Sequence, residues 1–251
     1  MKLDRIFPFG LGKTGAVCRL YCFHHAGGSV CTFRNWMKMS PLIDVAPLEL
    51  PDRSCDPSEL TFKSVLDDMT QAIAEANDSK PFFIYGHSLG SLFGFQTAWE
   101  LEKRYGLKAE RLFAAGRHAP SEETSSSFRY SQGIDALEKE LIRCGMESEE
   151  LLSDKTFRSV FLPIIYNDYR LNEEYVYNGE ILDLPITAFN GSEDSDADGN
   201  IVDKWSKVTS SDFERYEFSG NHFFPYGDEE QNVIRLIREK ILLSLGIPSS
   251  K

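Results

Sequence analysis

Apolar residues fall along this chain in two rhythms. Short, nearly unbroken apolar runs recur at residues 16–23, 45–50, 82–85, 111–115 and 186–189, and residues 213–218, with Phe213, Tyr216 and Phe218 among charged residues, read as a last strand. Runs of that length read as strands buried on both faces. Between them the apolar positions take helical spacing. Phe62, Val65, Leu66, Met69, Ile73 and Ala76 form one stripe, on a helix that Ser58 can cap. Leu92, Phe93, Phe95 and Trp99 mark a helix over 91–102, and residues 231–245 a closing amphipathic one. Shorter helices are predicted at 32–39 and 202–208. Alternating strands and helices predict an α/β fold, a mostly parallel sheet covered on both faces.

The rhythm changes after Pro120. Residues 121–128 are polar and serine-rich, and 134–144, 148–152 and 155–169 read as helices with no strand among them. We therefore expect one domain over residues 1–251 with a helical lid insertion at about 121–177.

Composition narrows the partners. The chain has 251 residues, 27 basic and 39 acidic, for a net charge of −12. Nucleic acid or an anionic membrane would call for a basic surface, so neither is expected as a partner. Five scattered cysteines without a C-x-x-C suit reduced thiols. With no apolar run of signal-peptide or membrane-span length, a cytoplasmic monomer is expected. Gly10-Leu-Gly-Lys-Thr14 looks like part of a phosphate loop. The glycine required five residues before Gly12 is Phe7, so an irregular segment is expected there.

The chemistry centres on Gly86-His-Ser-Leu-Gly90, a G-x-S-x-G between a strand and a helix. Glycines on either side let the backbones crowd together while Ser88 sits on a strained turn, its hydroxyl exposed as a nucleophile. Such a hydroxyl needs an imidazole to take its proton and a carboxylate to hold that imidazole. Of the five histidines, His87 lies inside the elbow and should point away from the side on which Ser88 is displayed. His24 and His25 sit in a glycine turn, and His118 follows a strand end. His222 follows the last strand, where α/β sheets display chemistry, and is the expected base. Asp194, after another strand end, is the expected acid; Asp196 and Asp198 compete, and Glu193 should point elsewhere. Ser88, Asp194, His222 is the chain order of α/β-hydrolases. Asp194-Ser-Asp-Ala-Asp-Gly199 begins like a calcium loop, but Trp205 stands where a glutamate is needed, so no metal is expected. The oxyanion donors expected are the backbone N–H groups of Leu89, after the nucleophile, and Ala26, at the bend of His25-Ala-Gly-Gly28.

Together these segments resemble the type II thioesterases, stand-alone editing enzymes of polyketide and nonribosomal peptide assembly lines. Phe23-His-His-Ala-Gly-Gly-Ser29, Leu50-Pro-Asp-Arg53, Gly86-His-Ser-Leu-Gly90, Gly116-Arg-His-Ala-Pro120, the stretch 163–175 and Gly220-Asn-His-Phe-Phe224 carry the resemblance. It spans about residues 18–240. His24 stands where the family usually has proline, which bears on the stiffness of the glycine turn, and Asp52 where it has glycine. The resemblance implies an α/β-hydrolase fold with the helical lid. It also implies hydrolysis of acyl groups from the phosphopantetheine arm of acyl or peptidyl carrier proteins, with no cofactor of the enzyme's own. A small-ester carboxylesterase or lipase, or a non-catalytic hydrolase-like binding protein, are the competing readings. Since carrier proteins are typically acidic, a local basic or apolar patch near the site entrance is expected, with Arg34, Lys38 or Arg117 as candidates.

Overall fold

The computed structural model describes residues 3–51, 60–124, 126, 128–145 and 149–248. Six strands are assigned among them: β1 Cys18–Phe23, β2 Ile43–Leu48, β3 Phe82–His87, β4 Leu112–Ala115, β5 Ile186–Gly191 and β6 Phe213–Phe218. They form one sheet in the order β2-β1-β3-β4-β5-β6, and all five ladders are parallel. The strand after the one holding Ser88 continues outward from it, so β3 lies inside the sheet with every residue buried.

The helices are α1 Leu3–Ile6, α2 Phe62–Glu75, α3 Leu89–Glu100, α4 Ile134–Arg143, α5 Glu149–Ser153, α6 Lys155–Glu174, α7 Gly199–Val202 and α8 Glu230–Ser244. Side-chain alternation along β3 assigns the two faces. Phe82 and Ile84 join an apolar cluster with α2 and α3, whereas Phe83 and Tyr85 join one with α8 and two 3-10 turns. Helices thus cover both faces, the α/β-hydrolase arrangement. Three helices, α4 to α6, lie between β4 and β5 and share a third, separate cluster around Leu137, Leu141, Phe157 and Leu162.

Several local expectations are corrected. The cap of α2 is Thr61, whose hydroxyl accepts the Ser64 N–H while the Ser64 hydroxyl accepts that of Thr61. Ser58 lies outside the described residues, as do Asp52 and Arg53. The helix expected at 32–39 is two 3-10 turns, Val30–Phe33 and Trp36–Lys38. That expected at 202–208 is a 3-10 segment, Asp203–Val208, following the short α7. Helix α6 runs five residues past the expected end at Tyr169. No helix among the described residues is long and apolar enough to cross a membrane.

Candidate active site

The turn from β3 into α3 places Ser88 at φ 55° and ψ −119°. Backbone so placed costs on the order of 1–3 kcal/mol for a residue with a side chain. The surroundings hold it there. A Cβ on Gly86 would lie 2.2 Å from the Gly90 carbonyl oxygen, and one on Gly90 would lie 2.2 Å from that of Phe23. Neither position can carry a side chain, which is the physical content of the motif. Beneath the turn, the Ser88 N–H donates to the Ala115 carbonyl at 2.8 Å. The buried Ser91 hydroxyl braces the same place, donating to Gly86 O and accepting from Ala115 N.

Asp194 and His222, the expected acid and base, are brought together by the ends of β5 and β6. The Ser192 and Glu193 N–H groups donate to Phe218 O and Gly220 O, tying the two loops. Asp194 is thereby buried, and its Oδ2 accepts from His222 Nδ1 at 2.8 Å. Its Oδ1 accepts the Asp196 N–H at 3.1 Å. Asp196 and Asp198 do not compete for the imidazole. The first carboxylate pairs with Arg143, and the second caps α7 by accepting the Ile201 N–H. Glu193 is exposed.

His87 does point inward, where it does structural service. Its Nε2 donates to the His222 carbonyl at 2.9 Å and its ring packs on the His222 ring. Full burial, with His222 and His25 nearby, pushes its pKa well down, so the ring stays neutral.

Ser88, His222, Leu89 and Ala26 all wall one cavity of about 90 Å³. Among the described residues no hydrogen bond joins Ser88 Oγ to His222; they meet as neighbouring walls. Leu89 opens α3, so its N–H has no partner within the helix. In the His25–Gly28 turn, Gly28 N–H closes onto His25 O, and Gly27 N–H donates to Asp168 Oδ2 at 2.7 Å. The Ala26 N–H between them is uncommitted among the described residues. His24, where the family has proline, donates from Nδ1 to the next carbonyl at 2.8 Å. A side-chain bond there restrains the loop that a ring would otherwise stiffen.

Asp168 went unnoticed in the sequence. It stands on α6, is fully buried, and reaches the Gly27 amide across 141 residues. The available signal was its position on the inward stripe Ile165, Asp168, Leu171, where a carboxylate must have a partner.

The cavity's other wall is polar. Arg117 is only 9 % exposed, so it belongs to the interior and not to a surface patch. Its Nη1 donates to Asn172 on α6, and burial lowers its pKa to about 10. Glu140, Cys144 and Asp196 lie close enough to hold a metal ion. Arg143 already fills that role, donating to both carboxylates. Burial and Glu140 push the Cys144 thiol up to about 12, so beside this ion pair it stays a neutral thiol.

Comparison with known proteins fits this geometry. The family described as "Thioesterase domain" matches residues 18–241. The linear gramicidin dehydrogenase LgrE of Brevibacillus parabrevis is 34% identical over 227 residues, covering 84% of this chain and 83% of that one. The thioesterase PikA5 of Streptomyces venezuelae is 29% identical, covering 93% and 84%. Among solved structures, YbtT, a type II thioesterase from the yersiniabactin nonribosomal peptide/polyketide pathway, superposes with a TM-score of 0.78. It is 25% identical, with coverage of 94% and 95%. The first relative's name describes a dehydrogenase. Here the one glycine run with dinucleotide spacing, Gly10 to Gly15, precedes β1 and does not link a strand to a helix. Its Lys13 is spent on the Met37 and Ser40 carbonyls, and its Gly12 amide on Asp44. With a match over most of its length, the chain belongs to the thioesterase family, of the type II kind, and is a hydrolase acting on thioesters.

Proposed function

We propose that the protein releases acyl groups from the phosphopantetheine arm of carrier proteins in nonribosomal peptide or polyketide synthesis. The observation that carries the chemistry is the 2.8 Å His222–Asp194 bond beside the cavity that Ser88 shares. Ser88 Oγ attacks the thioester carbonyl as His222 Nε2 takes its proton. Asp194 holds the imidazole in that tautomer and stabilises its charged form. The Ala26 and Leu89 amides receive the developing oxyanion. The C–S bond breaks and the thiolate takes the proton from His222. A thiol of ordinary pKa, about 8.5, leaves readily, so little acid help is needed. Water then attacks the acyl-serine, its proton passes to His222, and the C–O bond breaks to release the acid and restore Ser88.

The substrate assignment draws on two features. PikA5 and YbtT are thioesterases, the latter named for such a pathway. The helices of residues 121–177, read as a lid, wall the cavity with Arg117's partner Asn172 and with Tyr169, leaving space for a small or polar acyl group. Mass spectrometry of acetyl-loaded carrier protein incubated with the enzyme tests the reading. Deacylation by the wild type and none by Ser88→Ala is expected. Hydrolysis of small oxygen esters alongside an untouched carrier would replace it with a carboxylesterase.

A further inference from the structure

The chain is strongly acidic, yet its cations are unevenly used. Lys63, Lys108, Lys207 and Arg215 each face a carboxylate: Asp67, Asp183, Glu122 and Asp203. Lys38, Arg235 and Arg238 have no such partner among the described residues. These three meet in one groove of about 500 Å³ between the second 3-10 turn and α8, with no carboxylate in its walls. Lys38 and Arg235 are exposed and Arg238 half-buried. Two other open grooves of similar size differ in sign. One is walled by Asp67, Glu100, Glu174 and Glu180 against Lys63 alone, the other by Glu122, Glu123 and Glu173 against Arg117 and Arg129.

The cationic groove also adjoins a second groove, of about 570 Å³, that reaches the turn of Ala26. Asn35 forms part of the wall of each. Asn35 Nδ2 donates to Glu230 at 3.0 Å, pinning the 3-10 turn to the start of α8 between the two. The second groove is lined by Phe161, Phe223 and Tyr226 and ends at His25 and Gly27, the residues flanking Ala26. The cationic surface and the groove of aromatic and polar walls, Glu230 among them, therefore adjoin at Asn35, and the groove reaches the two neighbours of Ala26, itself a wall of the Ser88 cavity.

We propose that Lys38, Arg235 and Arg238 form the docking surface for an acidic face of the carrier domain, whose arm then lies along the aromatic groove. This rests on the carrier-bound reading above. Other cations also lack a carboxylate partner, but these three are clustered, and a cluster of cations on a protein of net negative charge steers an acidic partner and sets its orientation. The assignment agrees with Lys38 as a candidate from the sequence and removes Arg117, which is interior.

The test compares two substrates, an acetyl-loaded stand-alone carrier protein and acetyl-pantetheine. The triple variant Lys38→Glu, Arg235→Glu, Arg238→Glu should lower kcat/KM on the carrier about tenfold or more, through KM, and flatten its salt dependence. Acetyl-pantetheine hydrolysis should stay within about twofold, since the groove lies outside the reacting centre. Lys108→Glu, a charge change of the same sign elsewhere, should alter neither. An unchanged carrier KM in the triple variant overturns the docking surface alone. Equal loss on both substrates also overturns it, since the site itself would be disturbed. A change in sedimentation between wild type and variant would make the groove a contact between copies instead. Wild-type enzyme that cleaves acetyl-pantetheine but not the loaded carrier would sink the carrier reading itself.

Discussion

The floor and the roof of the cavity are built on different principles. The floor is the carboxyl edge of the sheet. The Ser88 amide is held by Ala115 O on the neighbouring strand, and the loops of Asp194 and His222 are tied by the Ser192 and Glu193 amides to Phe218 O and Gly220 O, with β3 and β5 fully buried beneath and β6 half-buried at the edge. The roof, α4 to α6, has its own small apolar cluster, distinct from the two that flank the sheet. Polar bonds tie it down: Asp168 to Gly27 N, Glu174 to Phe62 N, Arg170 to Leu60 O, Asn172 to Arg117 and Tyr175 to Gln96. Bonds to charged groups contribute about 1.5–3 kcal/mol each. The floor therefore moves only if the sheet does, whereas the roof is held by these links, by Arg143 on Asp196, and by one end of α6, where Leu171 enters the sheet-side core and Tyr175 packs on Phe62. One of those links ends in the turn that presents Ala26, so the position of α6 and the shape of the proposed oxyanion site are not independent.

The sharpest break in this comparison comes from the floor. Asp194→Asn should lower kcat about 10⁴-fold with the fold intact, because the imidazole loses the partner that sets its tautomer. Asp196→Asn and Asp198→Asn, whose carboxylates serve Arg143 and α7, should fall far short of that. Steady-state rates on one acyl-pantetheine decide it; three equal losses would remove Asp194 from its role.

A smaller effect belongs to the roof. Asp168→Ala withdraws the acceptor of the Gly27 amide and should lower kcat by up to about 10²-fold, less than or equal to the loss of an oxyanion donor itself. KM for acyl-pantetheine should hold. Affinity for a boronic acid that mimics the tetrahedral intermediate should fall in parallel with kcat. Asp168→Asn, whose amide oxygen can still accept, should recover part of both. If boronate affinity is unchanged while thermal stability drops, Asp168 is a packing residue and the roof does not reach the chemistry.

The same division explains what was legible beforehand. Around Ser88 the backbone crowding admits only glycine at 86 and 90, so the structure is written directly into residue identity. Asp194 and His222 follow strand ends, where chain order alone narrowed the choice. The roof left fewer marks. The helix expected to end at Tyr169 continues through Arg170 and Glu174, whose charge hides that both are links to the α2 region. Thr61 displaced Ser58 as a cap because capping is settled by which hydroxyl meets the third amide, a choice composition cannot make. The contact of Asp168 spans most of the chain, and no local period encodes it.

The smallest expected effect lies at the joint between the two. His118 follows β4, lines the cavity, and is held by burial, with Arg117 beside it, at a pKa of about 3. Its unfolded value is near 6.5, so the unfolded chain binds the proton first. The associated stability is whole above pH 6.5 and is lost as pH falls towards 3. Urea unfolding between pH 7 and 4 should therefore show a slope that His118→Gln reduces by about 1.4 kcal/mol per pH unit in the steep part of that window. His87, depressed in the same direction, keeps its own share of the slope in the variant. An unaltered slope would mean that His118 takes up its proton by turning outward with the roof. The joint would then be looser than the sheet it borders.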